Sequence, residues 1–74
     1  MIVEQFRVPG VSCQHCVHAV TQEVGAINGV QRVQVNLDTK TVTVDHSEQV
    51  TTAALVAAIQ EAGYDEVAPV SNAA

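Results

Sequence analysis

The chain has 74 residues, enough for one domain, and is 47% hydrophobic but only 3% aromatic. Its formal charge of −5, with Arg7, Arg32 and Lys40 as the fixed cations, argues against nucleic acid or an anionic membrane surface, which are bound through Lys and Arg. So short a chain leaves no room for the cavity that a drug-sized substrate occupies, which argues against an enzyme acting on a large molecule.

Residues 2–8 alternate, with Ile2, Phe6 and Val8 on one side and Val3, Gln5 and Arg7 on the other, and predict a half-buried strand. Pro9-Gly10 ends it, and Ser12 is placed to cap a helix. From Cys13 to about Ala26 the period lengthens. Val17, Val20, Val24 and Ile27 share one helical face, Cys13 and Cys16 fall at its edge, and His15, His18 and Gln22 face water. Gly25 and Gly29 bracket the helix end. Val33, Val35 and Leu37 alternate next, Asp38-Thr39-Lys40 turns, and Val42 and Val44 alternate on the way back, which together predict a hairpin. Thr51 or Thr52 caps a second helix with Leu55, Val56, Ile59 and Ala62 as its buried stripe, and Gly63 stops it. A short strand over 66–70 completes the order.

Strand, helix, strand, strand, helix, strand predicts an α+β, ferredoxin-like βαββαβ sandwich. Both helices cover one face of a four-stranded antiparallel sheet, and Arg7, Arg32, Gln34, Thr41 and Thr43 suit the wet face. The domain is expected over 1–70, with 71–74 as a frayed tail. The longest run without a fixed charge, residues 8–22, is shorter than the ~20 apolar residues a membrane span needs. Glu4 and Arg7 interrupt any secretory signal. The expectation is a cytoplasmic protein with no membrane insertion, where thiols stay reduced and two cysteines spaced as Cys-x-x-Cys read as metal-binding or redox groups.

The chemistry concentrates in Gly10-Val11-Ser12-Cys13-Gln14-His15-Cys16-Val17, at a strand-to-helix junction. A helix N-terminus offers free N–H groups and a positive dipole end, both of which favour thiolate over thiol. Two soft anionic sulfurs without further obvious ligands favour Cu(I), which accepts low coordination. Structural zinc takes four ligands, and His15, His18 and His46 are not placed to complete such a set. His18 and His46 are expected at the solvated surface, and His15 is expected to stay off the metal, with ligation in a dimer as the alternative.

The segment Gly10-Val11-Ser12-Cys13-Gln14-His15-Cys16 resembles the Gly-Met-x-Cys-x-x-Cys signature of heavy-metal-associated domains, in particular the small bacterial copper chaperones that serve copper-exporting P-type ATPases. The resemblance runs on through Val20, Val24, Gly29-Val30, Val33, Val35, Leu37, Ile59 and Ala62-Gly63-Tyr64, from about Val8 to Val67. It implies Cys13 and Cys16 as Cu(I) ligands and Tyr64 as an aromatic neighbour shielding the metal loop. Ser12 and His15, read from their position alone, are candidate auxiliary residues beside that loop. Val11 stands where the family has Met, so a shorter side chain plugs the loop and less packing supports it. Pro9 is also unusual there and stiffens the strand exit.

The function expected is a non-enzymatic cytosolic copper chaperone that binds Cu(I) at Cys13 and Cys16. It passes the ion by ligand exchange to a metal-binding domain of a copper-transporting P-type ATPase, with a copper-responsive regulator as a second partner. The alternatives are a carrier of another soft ion, Hg, Cd or Zn, and a thiol–disulfide oxidoreductase. The oxidoreductase is disfavoured by the short chain and by the lack of Pro between the cysteines. A chain starting at Met favours a free-standing carrier over an excised domain. It is expected to be a monomer without metal, with a metal-bridged homodimer as the loaded alternative.

Overall fold

A computed structural model describes residues 2–70. The tail expected at 71–74 lies outside them. Alternation and helical periodicity sort into β1 (Ile2–Arg7), α1 (Gln14–Gly25), β2 (Val30–Asn36), β3 (Thr41–His46), α2 (Thr52–Glu61) and β4 (Ala68–Val70). The strands form one sheet in the order β2-β3-β1-β4, with every neighbouring pair antiparallel. The ferredoxin-like sandwich expected from the periodicity is therefore the fold.

β1 and β3 occupy the sheet centre, in a register that runs from Ile2 opposite His46 to Arg7 opposite Thr41. Their inward residues Phe6, Val8, Val42 and Val44 meet Val20 and Val24 of α1 and Leu55 and Ile59 of α2. Ten apolar side chains make this buried set, and seven are valines. With so few large side chains, each valine matters: a truncation to alanine in this core costs about 2 kcal/mol. Ile2, expected on the same side as Phe6 and Val8, lies at the sheet's end and is exposed.

Thr51 caps α2, its hydroxyl accepting the Ala54 N–H at 3.1 Å, as one of the two expected caps. The helices run in opposite senses relative to the sheet. α1 starts where β1 ends, and α2 ends at that same pole, with Gly63 at φ +108 turning the chain into Tyr64.

His46 departs from expectation. It continues the inward alternation of Val42 and Val44 and is 1% exposed, buried instead of solvated. Its Nδ1 lies 2.7 Å from the Ser47 carbonyl and its Nε2 lies 2.6 Å from Glu4 Oε2. Thr52 donates its hydroxyl to the other carboxylate oxygen, Oε1, at 2.6 Å. Burial is tolerated because each polar atom has a partner, and the three side chains join β1, β3 and the start of α2.

Candidate metal centre

The chain leaves β1 through a short, well-anchored segment. The Val8 N–H donates to the Lys40 carbonyl at 2.8 Å, and the Val8 carbonyl accepts the Val11 N–H at 3.1 Å, closing a turn over 8–11. Val11 is fully buried, so the shorter side chain still plugs the core under the loop. The first helical bond of α1, Val17 N–H to the Cys13 carbonyl at 3.2 Å, makes Cys13 the residue at the helix cap. Ser12 does not cap the helix as expected, because it lies one residue too early. No side chain takes that role, and the exposed Cys13 sulfur stands at the helix entrance.

Cys16 follows in the first turn, half-buried against the core. The two free thiols lie 3.4 Å apart. Cys16 is pulled down from 9.0 to about 6, foremost by a hydrogen bond from the Tyr64 hydroxyl, then by the Ser12 N–H and the Cys13 thiol. These donors favour the Cys16 thiolate over the thiol, and the thiolate is the form that binds a soft metal. Tyr64 is pushed up to about 12 by that same bond, then by burial and by the negative sulfurs, and so it remains a donor.

Two glycines allow this arrangement. A Cβ on Gly10 would come within 2.9 Å of Tyr64 Cδ1, so the ring lies directly over the glycine. Gly63, in the left-handed region, delivers Tyr64 from the end of α2. The late Gly-Tyr pair and the glycine before the cysteines thus meet in one contact.

A residue that sequence reasoning missed completes the loop's support. Lys40 Nζ donates to the Val11 carbonyl at 2.8 Å, across 29 residues of sequence. Asn36 Oδ1 accepts the Asp38 N–H at 2.9 Å and the Thr39 N–H at 3.3 Å, which shapes the turn between β2 and β3. That turn closes with Lys40 at φ +57, the left-handed region, at a cost of about 1 kcal/mol for a side-chain-bearing residue. No signal in the sequence separates Lys40 from an ordinary turn lysine.

The structure brings Cys13, Cys16, Tyr64, Val11 and the Ser12 backbone together. His15 and His18 sit exposed on the solvent side of α1, and His46 lies at the far end of β3. Among the described residues no three His, Cys, Asp or Glu side chains cluster as a metal site. Also among them, no helix is long and apolar enough to cross a membrane.

Residues 5–65 match the heavy-metal-associated domain. The chain belongs to that family. The copper chaperone CopZ of Bacillus subtilis is 43% identical over 61 residues, covering 81% of this chain and 88% of that protein. A copper-exporting P-type ATPase of Mycobacterium tuberculosis is 43% identical over 60 residues, again 81% of this chain but only 8% of the ATPase. Among solved structures, a CopZ metallochaperone superposes with a TM-score of 0.83 at 35% identity, covering 86% of this chain and 97% of that one. The family assignment therefore rests on sequence and fold together.

Proposed function

We propose that this heavy-metal-associated domain is a copper chaperone, carrying one Cu(I) on Cys13 and Cys16 and handing it to a metal-binding domain of a copper-transporting P-type ATPase. The observation that carries the reading is the pair of free sulfurs 3.4 Å apart at the start of α1, with donors around Cys16 that lower its pKa. Similarity to CopZ chaperones over most of their length supports it, and similarity to a segment of copper-exporting ATPases supports a partner of the same fold.

An open two-sulfur site suits an ion that must leave. An incoming thiolate adds to the exposed ion, one of the two resident sulfurs departs, and the metal passes through a three-sulfur intermediate. Copper stays in the +1 state throughout, and each Cu–S bond formed by an incoming thiolate is balanced by one broken to a departing thiolate. No bond in the carrier is made or broken for good, so this is carriage without turnover. Asp65 and Glu66 line a cleft with Gly10 and Tyr64 beside the loop, giving the docking face a negative rim for a cationic partner surface.

The reading is tested by titrating the reduced protein with Cu(I) against a competing chelator. One equivalent is expected to bind, and the Cys13→Ser/Cys16→Ser double variant is expected to bind none. Equal affinity in the double variant overturns the assignment. Supplying Hg(II), Cd(II) and Zn(II) in parallel tests the choice of ion, with Cu(I) expected to be retained against the chelator.

A further inference from the structure

We infer that Lys40 is the positioning residue of the metal loop: its ammonium clamps the Val11 carbonyl and so fixes how firmly Cys13 and Cys16 hold their ion. The inference deepens the carrier reading and rests on it. Two observations meet at this residue. Lys40 touches the loop-bearing segment at both ends, through its carbonyl to the Val8 N–H and through Nζ to the Val11 carbonyl, each at 2.8 Å. It is also a lysine in a left-handed conformation, φ +57, where glycine or asparagine fits the turn without penalty.

A residue kept where its backbone is strained is expected to be doing something with its side chain. Here the side chain leaves the hairpin turn and reaches the loop two residues ahead of Cys13. Val11 is buried, and its N–H is already used by the Val8 carbonyl. With its carbonyl held as well, the residue can neither rotate nor withdraw, and the chain enters Ser12 and Cys13 in one direction. The loop is then ordered before metal arrives, and binding loses less conformational freedom.

Lys40 acts through the backbone, because its ammonium donates to the Val11 carbonyl.

Three substitutions separate the clamp from the turn. Lys40→Gly relieves the backbone and removes the clamp. Lys40→Met removes the clamp and keeps the aliphatic stem. Lys40→Arg keeps a cationic donor. In metal-free reduced protein, the amides of Ser12 and Cys13 are expected to exchange hydrogen about tenfold faster in the Gly and Met variants, and within about twofold of wild type in the Arg variant. An excess of competing chelator should withdraw Cu(I) about fivefold faster from the Gly and Met variants, with Arg again restoring the wild-type rate. Lys40→Gly, free of the backbone strain, should melt higher than Lys40→Met, so equally fast release from both cannot be ascribed to a weaker fold. Unchanged loop exchange in both Gly and Met variants overturns the clamp. Faster exchange with unchanged copper release overturns its role in holding the ion. If the wild-type chain takes up no Cu(I), the carrier reading fails, and the exchange comparison alone decides whether Lys40 holds the loop.

Discussion

The two poles of the sheet use similar polar chemistry to opposite ends. At the pole where β3 finishes, His46, Glu4 and Thr52 close on one another, with His46 at 1% and Glu4 at 21% side-chain exposure. At the pole where β1 finishes, Cys13 is exposed, and donors from Tyr64 and the loop backbone lower the pKa of Cys16. One pole spends its hydrogen bonds on itself and joins three elements. The other directs them at a sulfur that still has a face free for a ligand. Only the second is unfinished, and an unfinished soft-ligand site is what a transferable ion requires.

The contrast makes the two poles separable by mutation. The largest effect should come from Cys13→Ser/Cys16→Ser, which removes Cu(I) binding in a chelator competition while the thermal midpoint of the metal-free protein stays close to wild type. Next is His46→Ala, which leaves the Glu4 carboxylate with one partner fewer in a half-buried site. Denaturant unfolding should show a loss of about 2 to 3 kcal/mol. Its Cu(I) affinity should remain that of wild type, because the substitution is at the far end of β3 from the loop. A large fall in affinity for this variant would mean that the poles are coupled, and the comparison would fail.

Smaller changes are expected within the metal pole. Tyr64→Phe deletes the leading donor to Cys16, so the pH dependence of thiolate absorbance should move up from about 6 toward 9.0. Gly10→Ala should move it the same way, because a Cβ 2.9 Å from Tyr64 Cδ1 displaces the ring. The smallest effect is on stability against pH. Cys16 is lowered on folding, so its contribution is complete above pH 9.0 and fades as pH falls toward 6. Tyr64 is raised, so its contribution holds below pH 10.0 and fades as pH rises through 12. Melting of the reduced protein should therefore decline slightly more between pH 9 and 6 in wild type than in Cys16→Ser.

Much of this was legible in the residues because short-range physics carries it. Val20 and Val24, and Leu55 and Ile59, declare helices at a spacing of four, and Val42 and Val44 declare a strand at a spacing of two. The closeness of Cys13 and Cys16 was legible for the same reason: a Cys-x-x-Cys pair lies within one helical turn. Long-range polar contacts left no such mark. Lys40 meets Val11 across 29 residues, and His46 meets Glu4 across 42. A lone histidine reads as a surface group until its strand partner is known. The cue was present, since Glu4 continues the inward alternation of Phe6 and Val8, and His46 that of Val42 and Val44. An acid and a base at inward positions of strands that pair are a buried pair in waiting. The helix cap differed for a subtler reason. Ser12 is the better capping residue by type, but the turn over 8–11 sets where the helix begins, and Cys13 takes that position.

X-ray absorption on the protein loaded with one equivalent of Cu(I) tests whether the Cys13 and Cys16 sulfurs alone hold the ion. The expected spectrum shows Cu(I) with sulfur neighbours and no imidazole scattering, and the signal is lost in Cys13→Ser/Cys16→Ser. A histidine nitrogen in the first coordination sphere, or the same copper signal in the double variant, would contradict a site made by Cys13 and Cys16.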